Sequence, residues 1–196
     1  GLPVGDLFRS RGKGASLGDY GEATRIPQQA LLELDVDVVC PCARDGTIHS
    51  GNMERILASV ICAGANNPVT LAADEYLYRK GVLYLPDFMT NAGGALGNMV
   101  KFAGLPEKYF HRLIRGEFSD KILKVYRASQ TLAVPPREAG IGMAERKFAR
   151  MKESKEKASS SNASFELGLS VYRKGIVPKV LLRPFTYRHL KRSIAT

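Results

Sequence analysis

Residues 60–97, VICAGANNPVTLAADEYLYRKGVLYLPDFMTNAGGALG, constrain what this chain can fold into more than any other stretch. Two short apolar runs end in small residues and an Asn, and each leads directly into a helical pattern. In an open parallel sheet, such strand ends carry the loops that lie over the ligand crevice. Small residues let the backbone approach a flat ligand. An Asn amide offers a donor and an acceptor together. The stretch reads as part of a cofactor-binding domain.

The pattern extends on both sides. Val36 to Cys40 reads as a strand that Pro41 terminates. Asp45-Gly46 is a turn signal, and Ser50 is placed to cap a helix whose stripe is Met53, Ile56 and Leu57. Ser59 to Cys62 is the next strand, followed by a loop to Pro68. Thr70 can cap the helix LAADEYLYRK, and Gly81 stops it in the left-handed position just past the end. Val82 to Leu85 is the third strand. Near-continuous apolar strands alternating with helices call for parallel pairing through right-handed crossovers. The expected fold class is α/β: a partial doubly wound (Rossmann-like) parallel sheet of about three strands with flanking helices, followed by C-terminal helices. Those helices are expected over NAGGALGNMVKFAGL, 106–115, 117–133 and Arg137–Met151, the last restarted by Pro135-Pro136. Residues 1–151 then form one partial domain. Residues 152–163 read as a polar linker, and 164–196 as a basic, loosely docked tail that Pro178 and Pro184 interrupt.

The net charge of +10 suggests nucleic acid until its distribution is read. Residues 1–144 hold 16 Lys/Arg against 15 Asp/Glu, a net of +1, whereas 145–196 hold 13 against 4, a net of +9. The basicity belongs to the tail, which lacks the interleaved aromatics of strand recognition, so nucleic acid is disfavoured as a partner. Cys40, Cys42 and Cys62 read as buried reduced thiols, because Cys40-Pro41-Cys42 is too tight for a metal pattern and the count is odd. No apolar run is long enough to span a bilayer. With no apolar signal core in GLPVGDLFRSRGKG, the expectation is a soluble cytoplasmic protein without a membrane partner. His49, His111 and His189 are scattered over turn and helix surfaces and are read as exposed or capping groups.

Leu34-Asp35-Val36-Asp37 running into Cys40-Pro41-Cys42-Ala43, Gly64-Ala65-Asn66-Asn67-Pro68, Gly81 to Asp87, Asn91-Ala92-Gly93-Gly94 and Val134 to Ala139 occur in that order. In order and spacing, they resemble the C-terminal, nucleotide-binding half of the glutamate/leucine/phenylalanine/valine dehydrogenases, over roughly residues 20–151. The resemblance implies NAD or NADP as cofactor and an L-amino acid as substrate, oxidatively deaminated to a 2-oxo acid and ammonia. It implies a homo-oligomer in the complete enzyme. It also implies that Pro41, Cys42 and Ala43 line the crevice near the nicotinamide ribose. Gly64 and Asn66 would reach the nicotinamide end, and Asn91 would lie where nicotinamide and substrate meet. Gly94, Ala95 and Asn98 match positions on the substrate side. Gly64 to Asn67 leans toward the branched-chain and phenylalanine members, and Pro68-Val69-Thr70 toward the glutamate members.

Two parts of the family pattern are not found. No Gly-x-Gly-x-x-Gly turn between strand and helix precedes the sheet, although that turn places pyrophosphate on a helix N-terminus. The catalytic Lys and Asp of the family's N-terminal domain have no counterpart. Lys101 is read as a helix-surface residue and Asp87 as part of a strand-end turn. No catalytic residue and no metal ligand is therefore assigned in this chain, which is expected to be inactive alone, as a fragment truncated on its N-terminal side. The alternative is a noncatalytic nucleotide-binding or partner-binding relic.

Overall fold

The computed structural model describes residues 3–12, 21, 24–157 and 179–195. Helix α1 (Val4–Gly12) is followed by a 3₁₀ turn at Gln29–Glu33. Strands β1 (Val38–Val39), β2 (Val60–Cys62) and β3 (Leu83–Leu85) form one parallel sheet in the order β1-β2-β3. Val39 stands opposite Ile61, and Ile61 opposite Tyr84. These three share the buried face and pack on Ile48, Ile56, Ala58 and Val69, and on Ala73 and Leu77 of helix α2 (Leu71–Arg79). The other face is covered at Leu85 by Met89, Val125 and Ala139, while Val38 remains 50% exposed. The near-continuous apolar strands are thus buried on both faces only toward β3.

Helix α2 begins and ends as its sequence dictates. The Thr70 hydroxyl oxygen accepts from Ala73 N–H, and the N–H groups of Gly81 and Val82 donate to Tyr78 and Leu77 carbonyls at 3.0 and 2.9 Å. Gly81 has φ +83°, the left-handed value this closing turn needs. The expected helix from Ser50 is reduced to a 3₁₀ turn, Met53–Arg55. Asn52 explains the difference. Its side chain accepts from His49 N–H at 2.8 Å and donates to Thr47 carbonyl at 2.9 Å, holding the backbone in a loop instead of a helix. Ile56 is fully buried by that loop, and Leu57 points outward.

After β3 come α3 (Asp87–Thr90), α4 (Gly93–Phe102), α5 (Glu107–Leu113), a π turn (Ile114–Phe118), α6 (Ser119–Leu132), α7 (Pro136–Lys157) and α8 (Lys179–Ala195). The expected break near Gly116 is bridged by the π turn, where the Ser119 hydroxyl donates to the Ile114 carbonyl. Pro136 opens α7 as expected. Helix α7 continues to Lys157, so the first part of the expected linker is helical, while residues 158–178 lie outside the described residues, as does most of the loop over 12–23. The described end of the chain is not a loose tail. Leu190 of α8 is buried with Leu96, Val100, Leu105 and Leu113, the Tyr187 ring packs tilted against Tyr109 with centroids 4.7 Å apart, and Lys191 pairs with Glu117 at 2.8 Å. Pro184 sits inside α8 without ending it.

Candidate active site

The carboxyl ends of the three strands point the same way because the strands are parallel, so their loops meet. β1 runs into Cys40-Pro41-Cys42, and the Pro41 carbonyl accepts from the N–H groups of Gly64 and Ala65 at 3.0 and 2.9 Å. A Cβ at position 64 would collide with Cys42 Sγ, so only glycine lets the first two strand ends come this close. At the third strand end, the Thr90 hydroxyl donates to Ala63 carbonyl at 2.5 Å. The Asn91 amide donates to Asn66 Oδ1 at 2.7 Å. Asn66 is exposed and Asn91 half-buried. Each amide offers two kinds of group, so Asn91 Oδ1 and the Asn66 NH₂ remain for a ligand.

Asp87 fixes this arrangement from beneath. Its Oδ2 accepts from Asn67 N–H at 3.0 Å, and Asn67 takes the positive φ of +44° that turns the loop. Arg137, at the start of α7, lies 4.0 Å from Asp87 Oδ1, donates to Asp74 Oδ2 at 3.0 Å and to the Tyr84 hydroxyl at 3.1 Å, and covers the Tyr84 ring. Burial raises the Asp74 carboxyl above its ordinary value, with Arg137 opposing the rise. Burial pushes the Tyr84 phenol up to about 12, again against Arg137. Asp87 is itself buried and engaged in this cluster, and Lys101 is exposed on α4, so neither stands free at the strand ends.

Pro41, Cys42, Gly64, Asn66 and Asn91 are therefore brought together, and Ala43 follows directly, exposed. Gly94, Ala95 and Asn98 lie further along, exposed on α4, with Ala95 and Asn98 on one face at i, i+3 spacing. Cys40 and Cys42 are exposed and Cys62 half-buried, which corrects the expectation of buried thiols: the first two flank Pro41 in the turn after β1. Burial raises the Cys62 thiol, and Cys40 adds to the rise. His49, His111 and His189 are all exposed. Sequence reading missed Thr90, Asn67 and Arg137 as the residues that hold the loops. Pro86-Asp87 and Pro136-Arg137 were visible as punctuation, but their pairing across the fold was not.

The family model for Glutamate/Leucine/Phenylalanine/Valine dehydrogenase matches residues 1–153. The chain belongs to this dehydrogenase family. Glutamate dehydrogenase of Thermotoga maritima is 36% identical over 135 residues, which are 64% of this chain and 32% of that protein. NADP-specific glutamate dehydrogenase of Saccharolobus shibatae is 35% identical over 88 residues, 45% of this chain and 21% of that protein. Among solved structures, L-tryptophan dehydrogenase from Nostoc punctiforme superimposes with a TM-score of 0.61 at 25% identity, covering 78% of this chain and 43% of that one. The hetero-hexameric glutamate dehydrogenase of Thermus thermophilus shares the fold, with a TM-score of 0.59 at 21% identity over 74% of this chain and 36% of that one. The chain thus spans a third or less of the length of these two curated family members. No helix among its described residues is long and apolar enough to cross a membrane.

Proposed function

We propose that this chain forms the nicotinamide end of the cofactor crevice of an NAD- or NADP-dependent L-amino-acid dehydrogenase. The observation that carries this reading is the 2.7 Å bond between Asn91 and Asn66, which joins the loops that follow β2 and β3. A nicotinamide carboxamide carries one acceptor and one donor. The Asn66 NH₂ and Asn91 Oδ1 left by that bond are their complements. Gly64 and the Pro41-Cys42-Ala43 turn let backbone approach the ribose, and Gly94, Ala95 and Asn98 would face the substrate from α4.

The bound nicotinamide would supply the chemistry by accepting a hydride from the substrate α-carbon. The residues of this chain bind and orient. The Asn pair sets the ring's rotation, and α3, pinned through Thr90 and Asp87, keeps Asn91 in place. A phosphate-binding turn and the acid–base groups of the reaction would come from outside residues 1–196, in a homo-oligomeric enzyme. Calorimetric titration with NAD and NADP tests the reading. Asn66→Ala and Asn91→Ala should each weaken binding about tenfold, the loss of one or two polar contacts, with melting unchanged. Unaltered affinity in both variants would remove the nicotinamide from these strand ends. Binding without any amino-acid turnover fits either this chain needing a complement or the relic reading. Turnover regained on adding the remainder of a relative decides for the first.

A further inference from the structure

All three cysteines of the chain gather where β1 and β2 end. The pairing of the two strands puts them there. Val38 stands opposite Val60 and Val39 opposite Ile61. The ladder runs on past the strands, since Gly64 N–H donates to the Pro41 carbonyl at 3.0 Å just as Val60 N–H donates to that of Asp37. Cys40 and Cys62 are therefore opposite each other on the next rung. Val39 and Ile61 face the core, so by alternation both thiols project from the other face of the sheet. Neighbouring strands lie about 4.8 Å apart, inside the Cα separation of about 4.4–6.8 Å that a disulfide spans. Cys40 and Cys42 are both close enough to raise the Cys62 thiol, after burial itself. Among the described residues no three His, Cys, Asp or Glu are arranged to hold a metal ion, which leaves redox chemistry as the reading of the cluster.

The three thiols are not equivalent. Cys42 stands opposite Gly64, with its sulfur over the glycine and no thiol across from it. Pro41 between Cys40 and Cys42 is pinned through its carbonyl by Gly64 and Ala65, which holds the turn against a bridge within it. Cys40 is exposed and faces Cys62, which is half-buried. We propose that Cys40 and Cys62 are a reversible oxidation site for a hydroperoxide, closing a disulfide across the ends of β1 and β2. The exposed Cys40 sulfur attacks the peroxide. Its O–O bond breaks, an S–O bond forms, and the thiol proton leaves with the departing alcohol or water, so that sulfur is oxidised to the sulfenic acid by the two electrons that reduce the peroxide. Cys62 sulfur then attacks that sulfur. The S–O bond breaks, the S–S bond forms, and water departs with the Cys62 proton. Cys62 also meets Thr90, the residue that ties the third strand end to Ala63. Drawing Cys62 toward Cys40 takes it from Thr90 and so disturbs the seat of Asn91. This last effect rests on the nicotinamide reading above, and the bridge itself does not.

The test treats the reduced full chain with hydrogen peroxide, blocks the remaining thiols with N-ethylmaleimide, and maps tryptic peptides by mass without reduction. Cys40 and Cys42 share the peptide 26–44, and Cys62 lies in 56–79. The two peptides should appear joined, from monomeric chain, and dithiothreitol should part them. Cys40→Ser and Cys62→Ser should each lose the joined species, and Cys42→Ser should keep it. A bridge between Cys40 and Cys42, bridges only between chains, or sulfinic acid at Cys40 with no bridge would overturn the proposal. Nicotinamide mononucleotide should bind the bridged chain about tenfold more weakly than the reduced one, with recovery in dithiothreitol, and peroxide should leave its affinity for Cys40→Ser unaltered. Equal affinity of bridged and reduced chain would overturn the effect on Asn91. A reduced chain without affinity for the mononucleotide would instead remove the nicotinamide reading, while the joined peptides still establish the oxidation site.

Discussion

Replacing Arg137 with Met separates the fold's electrostatic pin from its hydrophobic packing. The Arg137 side chain is 13% exposed and that of Asp74 4%, so solvent screens their 3.0 Å contact little. Met keeps much of the volume over the Tyr84 ring but removes the charge, leaving the buried carboxylates of Asp74 and Asp87 without their shared cation. Losing one partner of a buried pair costs about 3–5 kcal/mol, or roughly 6–20 °C in melting midpoint for a chain of this size. The loss depends on pH in a defined direction. Burial already raises the Asp74 carboxyl above its ordinary value, and Arg137 is what restrains the rise. Without Arg137 the folded-state pKa climbs further. A carboxyl raised in the fold disfavours folding once it ionises, so the deficit should be small near pH 4 and grow as pH rises toward 7. Urea unfolding followed by circular dichroism at both pH values measures it. Arg137→Met/Asp74→Leu should recover part of the single-variant loss, because the Asp74 charge leaves with its partner, while Asp87 still lacks the guanidinium that stood 4.0 Å from its Oδ1. A deficit that is independent of pH, or losses that simply add in the double variant, would refute the reasoning.

Three further outcomes follow from the same contacts. Gly64→Ala should destabilise the chain by about 1–3 kcal/mol, and Cys42→Ala in the same chain should recover part of that by removing the sulfur the new methyl meets; denaturant melts of the two variants check it. Leu190→Ala should cost about 2–4 kcal/mol if α8 is packed as described, whereas a loss below about 0.5 kcal/mol would mean α8 contributes as an ordinary surface element. Iodoacetamide at pH 8 should alkylate Cys40 and Cys42 before Cys62, whose thiol is raised by burial; peptide mass mapping over time reads the order, and Cys62 reacting first would contradict it.

The sheet was legible because its signals are local. Pro41, Gly81 and Pro86 end elements wherever they stand, and Thr70 caps a helix through a residue three positions on. The strand-end site followed from the same logic, since parallel strands must present their carboxyl ends together. What failed depended on partners distant in sequence. Arg137 and Asp74 are separated by 63 positions, and nothing near either residue marks the pair. Asn52 withdrew the helix expected after Ser50 by bonding to Thr47 and His49, an option the apolar stripe does not reveal. The prolines of the last segment argued against order. Pro184 was nonetheless accommodated, in a helix whose Leu190 and Tyr187 found apolar cover on α4 and α5.

The most direct test of the account is where a nicotinamide compound touches the chain. Side-chain amide NMR of ¹⁵N-labelled protein, titrated with nicotinamide mononucleotide, reports Asn66 and Asn91 individually. The account predicts that both amide pairs shift together, and that Asn66→Ala abolishes the shift at Asn91 as well. Shifts that leave both untouched and gather instead around Phe88, Ile122 and Ile141 would contradict it.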